Sequence, residues 1–189
     1  MKTTEPIRNK HQVRQLAEYY LKRGEIRNYV LIVMSVYTAL RISDLLRIRW
    51  DDVYDFEKKR VRESVSITEK KTRKTKIIAL NSQIKTALAT YAFAANPGAF
   101  IIENKRTGKA ISRIQAYRLI RAAAEALEFL ARVSCHSLRK TFGYHAWKNN
   151  VSPAVIMDIY NHSSFAVTQR YLGITQDDKN AVYISLNFA

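Results

Sequence analysis

Residues 29–46, YVLIVMSVYTALRISDLL, are the stretch that decides the fold. Residues 29–40 are apolar on nearly every side of a helix, which predicts a helix over about residues 27–39 that is buried in the core. This run contains four hydroxyl side chains and is too short to span a bilayer. Arg41 follows it directly, and Ser43 is expected to open a short helix through Leu46. The stretch therefore predicts a helical core with an arginine at its end.

Helical periodicity returns along most of the chain, and one region alternates instead. Val61, Val65 and Ile67 alternate with polar residues, and residues 76–80 form a β-branched run. The polar residues 68–75 between them predict a hairpin turn, so this region is expected to be a small antiparallel sheet with a basic tip. A further short strand is expected at residues 100–102. The remaining helices are predicted at residues 10–22, 82–95, 112–129, 136–148, 153–160, 164–171 and 176–186. The fold class is mainly α with a small antiparallel β-sheet (α+β).

Charge is the strongest feature of the composition. The 189 residues include 32 Lys and Arg against 16 Asp and Glu, a formal net charge of +16. Nucleic acid is the expected partner, because neutralisation of phosphates by Lys and Arg is the main source of sequence-independent affinity. Charge alone also fits a solvated basic surface. A hydrophobic content of 47% excludes a disordered chain.

The cellular setting is predicted from what the sequence does not contain. Met1 to Lys10 has charges but no apolar run after them, so no signal peptide is expected. The single cysteine, Cys135, cannot form an internal disulfide and is expected to be a buried structural thiol. We therefore expect a cytoplasmic protein with no membrane partner.

Two motifs combine arginine and histidine with helical spacing. Arg41 stands between a buried helix and the next one, where it needs an anion or a salt bridge, for example to Asp44. His136 and Arg139 are three residues apart, so they share a helix face, turned away from the inward stripe that begins at Leu138. That position predicts a surface or a cleft. Each motif alone also fits an ordinary structural role.

Two other groups could carry chemistry. His162 is followed nine residues later by Tyr171, which alone fits a helix terminus and a core tyrosine. The hairpin tip gathers basic side chains that suit either solvent or a nucleic-acid backbone. They are Lys70, Lys71, Arg73, Lys74 and Lys76.

Taken in order, these motifs resemble a known family. The segments TALRISDLLRIRWDDV (residues 38–53), HSLRKTF (residues 136–142) and HSSFAVTQRYL (residues 162–172), with the lysine hairpin between the first two, resemble the catalytic domain of the tyrosine recombinases, the phage integrase family. The resemblance extends over about residues 12–176. It implies a site-specific recombinase that cuts and rejoins DNA without metal, ATP or any other cofactor. Its catalytic positions fall on Arg41, Lys71, His136, Arg139, His162 and Tyr171.

The resemblance also implies a role for each of these side chains. Arg41 and Arg139 would clamp the non-bridging oxygens of the scissile phosphate. His162 would donate a further hydrogen bond to the growing negative charge. Tyr171 would attack phosphorus and form a 3′-phosphotyrosyl link, which stores the bond energy for rejoining.

Proton transfer and support are implied for the remaining positions. Lys71 would be the general acid for the 5′-hydroxyl, although Lys70 or Lys74 could take that part because hairpin alignments slip easily. His136 would be the acid/base partner near the tyrosine. Asp44 matches an acidic position that supports the site from behind.

This sequence departs from the family pattern in three ways. Ala39 stands where many members have glycine, which is expected to matter little at a helix terminus. Asn161 also replaces a glycine, and because Asn tolerates a left-handed backbone, the turn should survive. An N-terminal core-binding domain has no room, so residues 1–189 are expected to be a single catalytic domain, either an excised fragment or a short form like the fimbrial invertases. The tail, residues 175–189, either closes its own core or docks on a neighbouring protomer.

The expected partners follow from the same resemblance. They are double-stranded DNA, further copies of the chain in a tetramer on that DNA, and accessory DNA-bending proteins. Contacts to DNA are expected from Lys70, Arg73 and Lys74 on the hairpin and, near the start of one helix, from Arg113, Gln115 and Arg118. The alternatives are a non-cleaving regulator or excision accessory on the same fold, and a type IB topoisomerase-like enzyme. A metal-dependent nuclease is the weakest interpretation, because the acidic residues do not form a ligand set.

Overall fold

The computed structural model describes residues 4–174 and 176–186. Ten α-helices are assigned within these ranges: α1 (Lys10–Lys22), α2 (Ile26–Tyr37), α3 (Ile42–Leu45), α4 (Trp50–Val53), α5 (Ser82–Tyr91), α6 (Arg113–Ala126), α7 (Cys135–Lys148), α8 (Pro153–Tyr160), α9 (Phe165–Leu172) and α10 (Gln176–Ser185). The strands in the same ranges are β1 (Tyr54–Asp55), β2 (Arg60–Val61), β3 (Ser64–Thr68), β4 (Thr75–Ala79), β5 (Glu103–Asn104) and β6 (Lys109–Ala110). The predicted α+β class is confirmed.

Local capping signals explain where several helices begin. The side chain of Asn9 accepts a hydrogen bond from the amide of His11 at 2.8 Å and starts α1. Ser112 and Gln115 form a reciprocal capping box at the start of α6. Pro153 is the first residue of α8, where a missing N–H costs nothing.

The centre of the core is α2, as its apolar sequence predicts. Residues 30–36 of this helix are all buried. One side of the helix packs against α4, α5 and the β3–β4 hairpin, and the other against α1, α6 and α7. A smaller cluster of Ala39, Ile156, Tyr160 and Leu172 joins the end of α2 to α8 and α9. This third cluster lies directly beneath the candidate site.

The β-structure consists of separate antiparallel pairs rather than the single small sheet expected. In the described residues β1 pairs with β2, β3 with β4, and β5 with β6. The predicted hairpin is confirmed as β3–β4, with Thr68 opposite Thr75 at the tip. The strand predicted at residues 100–102 is wrong: Ile101 and Ile102 are both buried, so the side chains do not alternate, and the pairing occurs at β5–β6 instead.

Two residues that replace family glycines adopt left-handed backbone conformations. Asn161 has φ 52° and ψ 46°, so the prediction that Asn preserves this turn is confirmed. Ala39 has φ 54°, and the expectation that alanine matters little there is wrong. A left-handed conformation costs an L-residue with a Cβ about 1–2 kcal/mol. The Ala39 backbone is held there because its carbonyl oxygen accepts a hydrogen bond from Arg139.

No helix within residues 4–174 and 176–186 combines the length and the apolar character needed to cross a membrane.

Candidate active site

Arg139 lies at the bottom of the site. It projects from α7 and only 1% of the residue is exposed, so the sequence-based expectation of a surface or open cleft underestimated its depth. Its Nη1 donates to the carbonyl oxygen of Ala39, and its Nη2 donates to that of Tyr160 at 3.1 Å. Burial, and then the charge of Arg41, lowers the pKa of Arg139 from its usual value. Two main-chain acceptors therefore fix the plane of a buried guanidinium.

Tyr160, the last residue of α8, supports Arg139 from below. The guanidinium carbon is 4.6 Å from the centre of the Tyr160 ring. The ring also stacks on His162, with centroids 4.9 Å apart and an interplanar angle of 24°. Sequence reasoning missed this tyrosine, because a fully buried tyrosine in an apolar helix is typical of any core.

Tyr171 lies between two histidines. Its ring meets His162 edge-on, with centroids 4.4 Å apart, and meets His136 at 4.9 Å in a similar arrangement. The Nδ1 atom of His162 lies 3.0 Å from the hydroxyl oxygen of the buried Thr168, one turn before Tyr171 on α9. Positions 136, 139, 162 and 171, which are distant in sequence, therefore meet in one place.

Both histidines are held in their neutral forms. Desolvation lowers the pKa of His162 to about 4, with further contributions from the charges of Arg139 and Arg41. The pKa of His136, which is on the exposed side of the site, is also lowered to about 4, by desolvation and by Lys140, Arg139 and Arg41. A neutral imidazole can accept a proton at physiological pH.

Arg41 completes the basic floor, and its acidic partner is not Asp44. Its Nη1 lies 3.0 Å from Oε2 of Glu69, a residue that is fully buried where the hairpin tip begins. Asp44 instead accepts a hydrogen bond from the Lys70 amide at 2.9 Å and lies 3.9 Å from Arg47. Asp44 thus holds the hairpin from behind, and Glu69 was not found from the sequence.

The hairpin contributes a different lysine to this cluster from the one expected. Lys71 is exposed in the turn. Lys76, on β4, is half-buried, with its Nζ 3.0 Å from Oε1 of Glu69 and bonded to the carbonyl oxygen of Ile159. Burial lowers the pKa of Lys76, opposed by Glu69 and reinforced by the charges of the two site arginines. The sequence contained a signal for the inward position of Lys76. Even-numbered residues of β4 face inward, so Lys76 is on the same side as Ile78, and Ile77 is on the other side.

The other predicted DNA contacts lie at the surface. Lys70, Arg73 and Lys74 are exposed on the hairpin, and Arg113 and Arg118 are exposed on α6. Gln115 is exposed too, but its Oε1 accepts a hydrogen bond from the Ser112 amide at 2.8 Å. Its carbonyl oxygen therefore serves the helix cap.

The end of α9 is held by residues 4–8, which run beside α7. Arg8 donates to the carbonyl oxygen of Gly173 at 3.0 Å, and the Ile7 amide donates to Thr141 at 2.9 Å. Lys140 donates to the carbonyl oxygen of Thr4 at 2.6 Å, and its Nζ is 5.6 Å from the centre of the Tyr171 ring. The position of the tyrosine helix therefore depends on contacts with the segment before α1.

Within residues 4–174 and 176–186, neither a cluster of metal-ligating side chains nor a reactive cysteine competes with this cluster. In the part of the chain that the structure describes, no three His, Cys, Asp or Glu side chains gather in a way that could hold a metal ion. Burial raises the pKa of the Cys135 thiol to about 11, which keeps it protonated.

Comparison with known proteins agrees with this arrangement. The phage integrase family is matched over residues 8–177. The chain belongs to this family. It is 36% identical over 183 residues to the probable integrase/recombinase YoeC of Bacillus subtilis (strain 168), covering 97% of both chains.

Solved structures share the fold of this chain. The crystal structure of XerA recombinase superposes with a TM-score of 0.78 at 20% identity, over 98% of this chain and 68% of XerA. XerH site-specific recombinase, bound to its palindromic difH substrate after cleavage, gives 0.76 at 17% identity. That match covers 97% of this chain and about half of XerH, 54%. Family and fold confirm the resemblance found in the sequence: the chain is a tyrosine-type site-specific recombinase.

Proposed function

We propose that this recombinase cleaves and rejoins double-stranded DNA at the cluster around Tyr171. One observation carries the assignment of the phosphate position. Within the described residues, Nε of Arg139 is buried and has no hydrogen-bond acceptor, and Nη1 of Arg41, also buried, lies 3.0 Å from Glu69 Oε2 but at an angle that makes no hydrogen bond. Leaving such donors unsatisfied is costly, and a phosphate oxygen is the acceptor that guanidinium groups fit best. The scissile phosphate would supply the missing acceptors.

The chemistry follows from the groups around that position. The Tyr171 oxygen attacks phosphorus and forms a 3′-phosphotyrosyl bond, while the bond from phosphorus to the 5′-oxygen breaks. Neutral His136 accepts the phenolic proton, and Lys71 donates a proton to the departing 5′-oxygen. Arg41, Arg139 and a hydrogen bond from His162 stabilise the negative charge on the non-bridging oxygens. Attack by a 5′-hydroxyl on the same bond reverses every step.

DNA is the proposed partner because the hairpin that joins this cluster and the helix α6 both carry exposed basic residues. The hairpin residues Lys70, Arg73 and Lys74 would contact the phosphate backbone, and Arg113 and Arg118 would approach the bases from α6. XerH, a structural neighbour, was solved with a DNA substrate bound. DNA as substrate and the reduced thiol of Cys135 both fit a cytoplasmic setting.

Strand exchange joins four broken strands, so we propose that four copies assemble on DNA, with accessory DNA-bending proteins as further partners. The helix α10 supports contact between copies. Its Tyr183 and Ile184 are 78% and 84% exposed, and Leu186 follows at 57%. Apolar side chains presented together in this way suit a neighbouring protomer. The variants Tyr183→Ser and Ile184→Ser should reduce the number of copies bound per DNA molecule in sedimentation, with unchanged thermal stability of the free protein.

The decisive experiment needs no known target site. The wild type, Tyr171→Phe and Tyr160→Phe are incubated in EDTA with fragments of the source organism's DNA, and the DNA that stays attached in SDS is sequenced. The proposal expects adducts clustered at one repeat for wild type and Tyr160→Phe, and none for Tyr171→Phe. Tyr160→Phe is the matched control because it removes one hydroxyl from the same cluster.

Other outcomes overturn the proposal in distinguishable ways. Equal adducts from wild type and Tyr171→Phe would exclude Tyr171 as the nucleophile. Salt-sensitive DNA binding without any adduct would favour the regulator or accessory alternative. Adducts scattered over all sequences would favour topoisomerase-like swivelling, and adducts that appear only when Mg²⁺ replaces EDTA would indicate metal-dependent chemistry.

A further inference from the structure

Glu69 is a buried carboxylate at which three parts of the active site meet. Its side chain has no exposed surface. Oε2 lies 3.0 Å from Arg41 Nη1 and accepts hydrogen bonds from the Thr72 hydroxyl at 2.7 Å and the Asn161 amide at 2.9 Å. Oε1 lies 3.0 Å from the Lys76 ammonium. These partners belong to the end of α2, the hairpin and the turn before His162.

Stability alone does not account for a charge in this position. Removing a carboxylate from water costs several kcal/mol before any partner repays it, and buried ion pairs are often no better than apolar packing. Burial would raise the pKa of Glu69, but hydrogen bonds from Asn161, Thr72 and Lys76, with the charge of Lys76, lower it to about 2. The carboxylate is therefore ionised at every physiological pH.

Apart from Lys76, each partner of Glu69 either is or adjoins a residue proposed to act on the phosphate. Arg41 is itself one of the two guanidinium groups at the phosphate position. Thr72 follows Lys71 in the hairpin tip, and Asn161 precedes His162. Because one carboxylate bonds to all three segments, it fixes where the proposed acid and the proposed hydrogen-bond donor lie relative to Arg41.

The positive charge of Lys76 neutralises the Glu69 carboxylate, so the charges of the two arginines are not needed for this purpose. Lys76 also donates to the carbonyl oxygen of Ile159, so it ties β4 to the end of α8. Because the charges of Glu69 and Lys76 cancel locally, the positive charge that attracts DNA comes from Arg41 and Arg139. The contact between Arg41 and Glu69 reduces that attraction. Loss of the Glu69 charge should therefore strengthen attraction for DNA while loosening the geometry of the site.

We infer that Glu69 is a positioning residue for DNA cleavage, aligning Arg41, the hairpin tip and the His162 turn through direct contacts. The inference rests on the proposed function for its kinetic consequence. It makes a prediction that a merely structural role does not: cleavage and DNA affinity should move in opposite directions.

The test compares Glu69→Gln, Asn161→Gly and Glu63→Gln with the wild type. Glu69→Gln keeps acceptors for Thr72 and Asn161 but removes the charge. Asn161→Gly keeps the left-handed backbone and removes only the amide. Glu63→Gln is the matched control. Glu63 directly precedes β3, the strand that Glu69 follows, and it pairs with Lys85 at 2.5 Å on the exposed side.

Three quantities are measured for each variant. Adduct formation is timed with excess protein over a cleavable DNA, affinity is measured for the same DNA in a Tyr171→Phe background, and amide hydrogen exchange is followed without DNA. Glu69→Gln should form adducts about 10²-fold more slowly, on the scale at which misplaced catalytic groups act, with higher DNA affinity. Exchange should quicken at both residues 70–74 and 161–163. Asn161→Gly should show a smaller slowing, and Glu63→Gln none.

Wild-type cleavage rates in Glu69→Gln, or cleavage and affinity falling together with the melting temperature, would overturn the inference. Faster exchange in the hairpin alone would also overturn it, because the His162 turn would then be independent of Glu69. If wild type itself forms no adduct, the proposed function fails, whereas the exchange result still decides whether Glu69 couples the two segments.

Discussion

The guanidinium of Arg139 lies 4.6 Å from the ring centre of Tyr160, whose hydroxyl donates a 2.6 Å hydrogen bond to the main-chain oxygen of Arg139 itself. The same hydroxyl accepts a hydrogen bond from the Gly143 amide at 2.7 Å. Tyr160 therefore fixes the side chain and the backbone of Arg139 together. Burial raises the pKa of Tyr160, so its phenol is a structural group and a poor nucleophile.

The two neighbouring tyrosines should fail in opposite ways when each loses its hydroxyl. Tyr171→Phe should retain the melting temperature and abolish the SDS-stable adduct. Tyr160→Phe should form the adduct but be destabilised by about 1–3 kcal/mol, because it leaves buried main-chain groups unpaired. Thermal unfolding and gel-resolved adducts measure both. Adduct loss in Tyr160→Phe at a temperature where the variant is fully folded would contradict this division of roles.

Gly143 should not tolerate a side chain. A Cβ at this position would lie 2.5 Å from the Tyr160 hydroxyl oxygen and 2.8 Å from a ring carbon, so Gly143→Ala should be destabilised by about 1–3 kcal/mol or more. The cause can be isolated with a double-mutant cycle. In a Tyr160→Leu background, which lacks the distal ring and hydroxyl, the same substitution should cost clearly less in denaturant unfolding. Equal costs in the two backgrounds would show that Tyr160 is not the obstacle.

A change of leaving group should separate Lys71 from Lys76. Lys71→Ala should slow cleavage of ordinary DNA about 10²–10⁴-fold, as expected for loss of a general acid. In a substrate with sulfur in place of the bridging 5′-oxygen, the 5′-thiolate leaves without needing a proton. This substrate should therefore restore the cleavage rate of Lys71→Ala. It should not restore Lys76→Ala, because Lys76 is held between Glu69 and Ile159 as part of the site's framework. Rescue of Lys76→Ala instead would make Lys76 the acid.

Acid should destabilise the free protein over a defined range of pH. The pKa of His162 is about 4 in the folded protein, against a usual 6.5, so the unfolded chain binds more protons between these values. The stabilisation is complete above pH 6.5 and is lost progressively as the pH falls towards 4. Melting temperatures from pH 8 to 4.5 should therefore fall less steeply for His162→Gln than for wild type. His11→Gln, altered on the exposed surface of α1, is the control, and equal slopes for all three proteins would refute the prediction.

Salt dependence should identify the hairpin contacts with DNA. Each lost phosphate contact reduces the slope of log affinity against log salt by about 0.9. Lys74→Gln should show a reduction of that size, with similar weakening on all sequences. Lys22→Gln, on the far end of α1, should leave the slope unchanged. An unchanged slope for Lys74→Gln would remove this lysine from the DNA interface.

Much of the fold could be predicted because its signals are local. The cap at Asn9, the proline at the start of α8 and the continuous apolar stretch of α2 each determine an element within a few residues. The prediction of a strand at residues 100–102 was wrong because no local signal decides this segment. Tertiary packing buries its β-branched residues on both sides.

The candidate site was predictable only as far as its motifs. Spacing put His136 and Arg139 on one face of α7, but the depth of Arg139 is created by Tyr160, at the end of α8, and Ala39, in the link between α2 and α3. Glu69 and Lys76 looked like members of a solvated polar run, because nothing in that run indicates which of its charges turns inward. Their inward positions depend on contacts that are distant in sequence: Lys76 bonds to Ile159, 83 positions away, and Glu69 to Asn161, 92 positions away.

The hydrogen bond from Arg8 to Gly173 joins points 165 positions apart and ties the end of α9 to the segment before α1. Gly173 has φ 62°, and a Cβ there would lie 3.2 Å from Pro6, so the joint is tight as well as polar. Tension applied to the polypeptide ahead of Asn9 would therefore reach α7 through Thr4 and Ile7 and, through Arg8, the last turn of α9, which carries Tyr171. A fusion partner attached to this segment is therefore expected to slow DNA cleavage, whereas the same partner attached to a surface loop is not.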